Sequence, residues 1–456
     1  DRTVSLFKHQ REAVKAWLSK NGRGILEMAT GTGKTYTAMG CLKEIWQRAS
    51  PLVVVITFPK NHLLPQWEKA IQDFGLCPDA LVAVNREDNW KKRVYDVLTD
   101  VAIGHKKKVI FLISHKSFSS EFFCEEVVKV TNRAELFVVA DEVHGLGAPK
   151  LKKGLLDCYC YRLGLSATPE RYFDVPGTMK LLEYFGGVVF RFTLKDAITT
   201  INPETGETYL TPYDYFLKFV PLERDEVEKY FEFVSRITNL LRRIVEGDLD
   251  EELIEQLRFK KAKIVKAARS KLCALGELVE EIGIKNLHHT LVYCDEYLLK
   301  DVVRLFQERE VIVHRFTMRE KTLPEKKYGG LSEREFLIQK FAEGKYKVLV
   351  AIKCLDEGVD VPPARRAILM SSSGNPREFI QRIGRVLRRY SGKTKAQVYD
   401  MVTYIPLKLV PPEFRWIEKK LLDWEFERCL TIAQCADNSY EVKKAIFEVW
   451  ERSMRR

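Results

Sequence analysis

One alternation runs through both halves of this sequence: a short apolar run is followed by an amphipathic helical pattern, and then by another apolar run. Several runs are apolar on both faces, which is typical of strands buried in a parallel sheet. Amphipathic helices are predicted between the runs, for example at 34–49 and 64–74. We therefore predict an α/β fold built on parallel sheets. In the first half the predicted strands are 24–28, 52–57, 108–114, 136–140 and 162–166.

The alternation breaks at 201–206, where Asn202, Pro203 and Gly206 cluster, and we place the first domain boundary there. This predicts a first domain at 1–204 and a second at 205–410, opened by a strand at 213–220. Two long helices are predicted next, at 224–246 and 250–282. The α/β pattern then resumes, and from Pro411 a Trp-containing helical extension is predicted at 411–456. The later predicted strands are 290–294, 311–316, 347–352, 366–370 and 396–401.

Charge and composition exclude some classes of protein. The sequence has 75 Lys and Arg against 63 Asp and Glu, a net charge of +12, which suits a polyanionic partner such as nucleic acid. Ten scattered Cys without a C-x-x-C pair favour a reducing compartment, so we expect a cytoplasmic protein, or a nuclear one in a eukaryote. No apolar run approaches the roughly 20 residues that cross a bilayer, so no membrane partner is expected. Because the chain begins at Asp1, an upstream domain is an alternative we keep open.

A glycine-containing loop at 28–35 lies between a predicted strand and a predicted helix. Gly31 and Gly33 allow backbone N–H groups to approach a phosphate chain, and the helix N-terminus adds positive potential. Lys34 would contact the β- and γ-phosphates of ATP, and Thr35 would hold Mg²⁺. Met28 stands where the full phosphate-loop pattern has glycine. The candidate nucleotide-binding residues here are Thr30, Gly31, Thr32, Gly33, Lys34 and Thr35.

Two acids follow directly after the buried strand at 136–140, at the end of a parallel sheet where ligands gather. Asp141 is predicted to bind Mg²⁺, and Glu142 to orient and deprotonate the attacking water. His144, two residues further, is a candidate functional side chain, and a simple polar contact is the alternative.

With these motifs in place, the chain resembles the superfamily 2 helicases from about residue 6 to residue 403. The resemblance assigns Gln10 to an adenine-contacting element and Asp-Glu-Val-His at 141–144 to the family's hydrolytic box. It implies that His144, Ser166 and Thr168 couple hydrolysis to movement. It also implies nucleic-acid contacts at Pro59, Lys60 and Gln66. The departures from the family pattern are His9, Met28 and Val143.

Two further motifs of that family lie in the second half. The run 353–362 is similar to the fifth motif and supplies Gly358 and Asp360 as cofactor-binding candidates. The run 381–388 matches Q-x-x-G-R-x-x-R, with Gln381 as a coupling residue. Arg385 and Arg388 would reach the γ-phosphate, since a guanidinium stays charged and forks onto phosphate oxygens.

The resemblance implies two tandem RecA-like domains that hydrolyse ATP with Mg²⁺ in the cleft between them and move along or unwind DNA. XPB-like repair helicases and the motor subunits of restriction and phage-defence systems are similar in style. Lys34, Asp141, Glu142, Arg385 and Arg388 would form the catalytic set.

Three alternatives stay open at this stage. A double-stranded DNA translocase that does not unwind shares every motif. A nucleotide-gated sensor or scaffold, possessing the same ATP site, would use ATP to switch a partner protein. RNA is the alternative to single- or double-stranded DNA, because the 2′-OH contact that separates them cannot be identified in sequence.

Overall fold

The computed structural model describes residues 4–167, 175–243, 251–317, 320, 324–352, 360–371 and 376–454. The chain divides into two compact units, Asp1–Leu210 and Thr211–Arg456. In the described part of the chain, no helix is both long and apolar enough to cross a membrane.

The described residues of the first unit form a parallel sheet of seven strands in the order β3-β4-β2-β5-β6-β1-β7. Its strands are β1 (Arg23–Met28), β2 (Leu52–Phe58), β3 (Ala80–Ala83), β4 (Lys108–Ser114), β5 (Glu135–Ala140), β6 (Tyr161–Ser166) and β7 (Val188–Phe192). Its helices are α1 (Lys8–Ser19), α2 (Lys34–Arg48), α3 (Leu64–Asp73), α4 (Trp90–Ala102), α5 (His115–Phe118), α6 (Glu121–Lys129), α7 (Val175–Phe185) and α8 (Leu194–Thr199).

The strand order positions the candidate site. Strand β6 lies between β1 and β5, and all three run parallel. Their carboxyl ends therefore lie side by side, and they lead into the phosphate loop, the acids and Ser166. Every residue of β2 is buried, as expected for a strand covered on both faces.

The described residues of the second unit form a parallel sheet of six strands in the order β10-β11-β9-β12-β13-β8. Its strands are β8 (Tyr213–Pro221), β9 (Thr290–Tyr293), β10 (Val313–Phe316), β11 (Val348–Ala351), β12 (Arg366–Leu369) and β13 (Ala396–Tyr404). Its helices are α9 (Arg224–Arg243), α10 (Glu251–Lys266), α11 (Ser270–Ile282), α12 (Leu299–Glu308), α13 (Glu333–Ala342), α14 (Pro376–Val386), α15 (Arg415–Cys435) and α16 (Ser439–Met454). The predicted fold class, two parallel sheets flanked by helices and followed by a helical C-terminal region, is confirmed.

The prediction of one continuous helix over 250–282 was wrong. The chain turns at Ala268, which is fully buried in a cluster with Val227 and Tyr230 of α9. This turn separates α10, which packs its buried Leu257 beside Ile237 of α9, from α11, which packs under the second sheet. Each helix thereby buries its own apolar face, which a single straight helix could not do.

The C-terminal helices cover one edge of the second sheet. Strand β8 is an edge strand, and Asp437 N donates to Tyr213 O at 2.9 Å. The Asn438 amide accepts from Tyr215 N and donates to Tyr215 O, both at 2.9 Å. The Tyr213 hydroxyl also donates to Ile432 O at 2.6 Å. A single asparagine side chain thus occupies the hydrogen-bonding position that a further strand would take.

Candidate active site in the first unit

The phosphate loop has the backbone conformation that a phosphate chain requires. Gly31 and Gly33 have φ of +88° and +87°, a region that side-chain-bearing residues avoid. Thr32 closes a tight turn, with its hydroxyl donating to Ala29 O at 2.6 Å. Helix α2 begins directly at Lys34, so its first N–H groups lie next to the loop.

Gln10 connects the N-terminal segment to this loop. Its Nε2 donates to Gly33 O at 3.1 Å, and its Oε1 accepts from Phe7 N at 2.8 Å. A Cβ built on Gly33 would lie 2.3 Å from Gln10 Nε2, so a larger residue here would displace the Gln10 amide. The side chain assigned to adenine by the resemblance therefore also fixes the phosphate loop.

His9 is held in an aromatic cluster beside the same loop. Its Nε2 lies 2.7 Å from Thr32 O and must donate, because the carbonyl can only accept. Its ring stacks on Phe192 at 4.4 Å and meets Tyr209 edge-on at 4.5 Å. Burial lowers the pKa of His9, which favours the neutral ring. His9 departs from the family pattern, and in this structure its ring supports the phosphate loop at Thr32 O.

The phosphate-loop lysine and the predicted base meet directly. Lys34 Nζ lies 3.3 Å from Glu142 Oε1, and both side chains are largely buried. Glu142 has φ of +46°, an uncommon conformation for a non-glycine residue and one that is often found at functional sites. Its backbone N–H donates to Asp141 Oδ1 at 2.9 Å, which places the two acids in a fixed relation.

Asp141 is buried beside this pair. Burial first, and then the Glu142 carboxylate, raise the pKa of Asp141 to about 6, although Lys34 opposes the shift. Trp67 Nε1 donates to Asp141 Oδ2 at 3.3 Å from helix α3. The Asp141 carboxylate is thus oriented by the Trp67 and Glu142 N–H groups. A bound cation could take the place of the proton that its raised pKa favours.

The donor set suits Mg²⁺ bound together with a nucleotide. Thr30 Oγ1 is buried and has no hydrogen-bond partner among the described residues, so the loop offers a polar atom to a ligand. Thr35 Oγ1 accepts from Gln66 Nε2 at 2.7 Å. No cluster of three or more His, Cys, Asp or Glu that could hold a metal occurs in the described parts of the chain. A hard cation held here by one carboxylate and one hydroxyl would need phosphate and water oxygens as well.

A third contact connects the acids to the end of β6. His144 Nδ1 lies 3.2 Å from Ser166 Oγ and 3.6 Å from Glu142 Oε2. Glu142 and His144 follow β5, and Ser166 ends the neighbouring strand β6. His144, a predicted coupling residue, therefore lies between Ser166, the other predicted coupling residue, and the predicted base.

The remaining first-unit candidates lie apart from this cluster or outside the described residues. Pro59 and Lys60 are exposed directly after β2. Gln66, predicted to contact nucleic acid, is placed against Thr35 at the phosphate loop. Thr168 lies outside the described residues.

In the second unit, Asp360 holds the two predicted arginines together. Arg388 lies 2.9 Å from Asp360 Oδ2, and Arg385 lies 3.6 Å from Asp360 Oδ1. Gln381 lies on the same helix, α14, as Arg385. Gly358 lies outside the described residues.

Two residues at the site were not among the predicted site residues. Trp67 contacts Asp141. The signal for it was its place directly after Gln66, in the segment that the resemblance assigns to nucleic-acid contact. His115, directly after β4, is buried, with Nδ1 2.8 Å from Thr57 Oγ1. A Cβ built on Gly145 would lie 3.2 Å from His115 Cδ2, so this ring supports the loop that carries the acids. Its position at the carboxyl end of a buried strand was the available signal.

Comparisons with known proteins agree with this geometry. The family described as type III restriction enzyme, res subunit, matches residues 3–171, and the helicase conserved C-terminal domain matches residues 275–390. DNA 3′-5′ translocase XPB2 of Sulfurisphaera tokodaii is 30% identical over 397 residues, which cover 85% of this chain and 79% of the relative.

Two solved structures share the fold. A DNA-bound ATP-dependent type ISP restriction-modification enzyme, LlaBIII, has a TM-score of 0.57 at 15% identity, covering 96% of this chain and 31% of its own. The Hef helicase domain of Pyrococcus furiosus has a TM-score of 0.50 at 14% identity, covering 88% of this chain and 95% of its own. The chain thus spans most of the translocase but under a third of the restriction enzyme. Together with the ordered motifs, the relationship to XPB2 shows that this chain belongs to the superfamily 2 helicases and translocases, with both XPB-like and restriction-enzyme relatives.

Proposed function

We propose that this chain is an ATP-driven DNA translocase that moves 3′ to 5′ along one strand. The family supports an ATP-dependent motor, and the name of the XPB2 relative supports both the DNA track and the direction. Roles in repair or phage defence are consistent with the two kinds of relative. A DNA motor would work where its track is found, in the cytoplasm or, in a eukaryote, in the nucleus.

One observation carries the proposal: the Lys34 ammonium lies 3.3 Å from the Glu142 carboxylate at the start of α2. The group suited to phosphate and the group suited to a water proton thereby lie within reach of one reacting centre. Asp141 adjoins them through the Glu142 N–H. A purely structural ion pair would not need a glycine loop and a second buried acid beside it.

In this proposal the first unit binds the nucleotide. Backbone N–H groups at 30–35 and the Lys34 ammonium hold the phosphates, and Gln10 contacts the adenine edge while supporting Gly33. Thr35 and Asp141 would hold Mg²⁺, which neutralises charge on the phosphates when bound. Glu142 orients the attacking water and accepts its proton.

The second unit supplies Arg385 and Arg388, which stabilise negative charge on the γ-phosphate. Asp360 keeps the two guanidinium groups together until phosphate oxygens take over. We propose the domain boundaries 1–204, 205–410 and 411–456. His144, Ser166, Thr168 and Gln381 would couple the state of the nucleotide to movement, and Gly358 and Asp360 would contact the nucleotide.

Backbone contacts to DNA are proposed for Pro59 and Lys60, which are exposed after β2. Such contacts bind phosphate and carry little sequence information, so binding should weaken steeply as salt rises. Gln66 would respond to the nucleotide through Thr35 as well as to DNA.

The test is steady-state ATPase with single-stranded DNA, double-stranded DNA and RNA at two salt concentrations. Strong stimulation by DNA that is lost at high salt is the expected result, and stimulation by RNA alone would name RNA as the track. No stimulation by any of the three would favour the nucleotide-gated sensor. A triplex-displacement assay beside a fork-unwinding assay then distinguishes translocation from strand separation. DNA substrates in which one strand or the other is blocked test the direction of movement.

A further inference from the structure

A buried lysine bonds the backbone of the segment that carries the two arginines of the second unit. Lys393, 3% exposed, directs its ammonium at three backbone carbonyls. Its Nζ donates to Arg388 O at 2.9 Å, to Pro362 O at 3.1 Å and, by a shorter contact, to Val386 O. Lys393 lies outside both family motifs of the second half, 353–362 and 381–388.

The carbonyls that Lys393 contacts belong to the segment that carries the arginines. Helix α14 ends at Val386, and the last carbonyls of a helix have no partner within it. Arg385 lies in the last helical turn, and Arg388 lies two residues beyond the end. The helix alone therefore does not determine where the Arg388 backbone lies.

The third carbonyl, that of Pro362, lies two residues from the acid that pairs with both arginines. The Lys393 ammonium thus bonds two backbone segments at once: the segment just after Asp360 and the segment that carries Arg388. These are the two segments that the Asp360–Arg388 ion pair joins. A change in that distance would shift the guanidinium groups relative to the carboxylate that holds them.

Thr211 completes the support of the same segment. Its N–H donates to Leu387 O at 2.8 Å, and its hydroxyl donates to Arg388 O at 3.3 Å. Each carbonyl from Val386 to Arg388 therefore has a donor. Thr211 is also the first residue of the second unit, while its neighbour Leu210 donates to Ala197 O in the first.

Burying an ammonium is costly unless its hydrogen bonds are satisfied. Burial, followed by the nearby Arg365 and Arg389, lowers the pKa of Lys393 to about 7. The three carbonyl acceptors satisfy the hydrogen-bonding capacity of the buried amine. An apolar side chain in this place would remove the donor from the Pro362 and Val386 carbonyls.

We propose that Lys393, assisted by Thr211, is a positioning residue that sets Arg385 and Arg388 for the γ-phosphate. This rests on the proposed function of the two arginines. We call this set of backbone hydrogen bonds from Lys393 and Thr211 the brace. It should affect turnover more than nucleotide affinity, because the phosphate loop and Lys34, which are proposed to hold the phosphates, lie in the first unit. Thr211 also ties the point where the chain passes between units to the arginine segment.

The test compares Lys393→Met with Lys271→Met in the full chain. Lys271 is a matched control: it is also 3% exposed, lies in the same unit and bonds one carbonyl, that of Lys266, at 3.1 Å. For Lys393→Met we expect kcat of DNA-stimulated ATPase to fall by about ten- to a hundredfold, the range that small misplacements cause. The KM for ATP should change by less than about threefold. Lys271→Met should keep the parental kcat.

A double-mutant cycle separates positioning from general support. In a background that carries both Arg385→Ala and Arg388→Ala, Lys393→Met should lower the remaining kcat by less than about twofold, because both groups it positions are gone. If Lys393→Met lowers kcat by the same factor with and without the arginines, or keeps the parental kcat, the positioning role is wrong. If Lys393→Met does not fold, Thr211→Val decides: it removes one hydroxyl donor and should lower kcat, with KM unchanged, whereas a parental kcat overturns the proposal.

Failure of the proposed function gives a different result. If Arg385→Ala and Arg388→Ala both keep parental ATPase, the arginines do not act on the phosphate, whatever Lys393→Met does. If those variants lose turnover while Lys393→Met keeps it, the brace alone is wrong.

Discussion

The ammonium of Lys34 lies 3.3 Å from the carboxylate of Glu142, and the two residues are 108 positions apart in sequence. The ion pair joins the end of β1 to the end of β5 across the intervening β6. Each partner restrains the other, so a change at one should alter the environment of the second.

Replacing Lys34 should remove nucleotide binding. We expect Lys34→Ala to weaken ATP affinity strongly and to abolish turnover, because the variant lacks the ammonium that contacts the β- and γ-phosphates. Equilibrium binding of a fluorescent ATP analogue and steady-state ATPase measure the two effects. Lys43→Ala, on the same helix, is the control and should behave as the parent. Parental ATPase in Lys34→Ala would contradict the phosphate-loop assignment.

Replacing Glu142 should separate binding from hydrolysis. Glu142→Gln keeps the shape of the side chain but cannot accept a proton, so we expect kcat to fall by about 10²- to 10⁴-fold. ATP should bind at least as tightly, since Lys34 loses its competing anion. Binding titration and single-turnover hydrolysis test this. A variant that turned over ATP like the parent would show that another group is the base.

The raised pKa of Asp141 predicts a pH-dependent stability. Its folded pKa, about 6, exceeds the ordinary value of 3.8, so the folded chain binds more protons between these values. Its contribution to stability should therefore fall as pH rises through that window, by up to about 3 kcal/mol. We expect Asp141→Asn to lose less stability than the parent between pH 5 and pH 7.5.

Thermal unfolding in a chelator, without nucleotide, measures this difference. Asp73→Asn is the control: hydrogen bonds from Lys69 and Tyr36 lower the pKa of that acid, so its titration lies below pH 3.8 and its removal should leave the slope between pH 5 and pH 7.5 unchanged. An identical pH slope in the parent and in Asp141→Asn would show that Asp141 titrates normally.

Gly33 and Gly75 offer a matched pair of glycines. Both have positive φ, +87° and +65°, so alanine strains both by about 1 kcal/mol. Only at Gly33 would a Cβ meet Gln10 Nε2, at 2.3 Å, whereas nothing lies within 4 Å at Gly75. Gly33→Ala should therefore lose more thermal stability and most ATP binding, and adding Gln10→Ala should restore part of the stability. Equal losses at the two glycines would show that the Gln10 contact is unimportant.

The sequence predicted best those parts of the site in which neighbouring residues act together. The loop at 28–35 and the acids at 141–142 each follow a buried strand, and local pattern predicted the fold class that places them on one sheet edge. Contacts between distant segments were not predictable. Trp67 meets Asp141 across 74 residues, and His115 meets Thr57 across 58. Those contacts depend on strand order, which apolar periodicity does not determine.

Short and irregular elements were also missed. Strand β3, with four residues, and strand β7, which is only partly buried over most of its length, lack the continuous apolar run that marks β2. The turn at Ala268 lacks glycine and proline, so an amphipathic pattern runs through it without a stop signal. The folded chain breaks there because α10 and α11 pack on different partners.

The Asn438 cap on Tyr215 has a consequence for any shortened form of this protein. An exposed strand edge is a template for pairing with another chain, and this chain covers its edge with one amide and one backbone N–H from the turn before α16. A version ending before Asp437 would leave the Tyr213 carbonyl and both Tyr215 backbone groups without these partners, and we expect it to self-associate and precipitate. The turn before α16 would then act as a guard against aggregation.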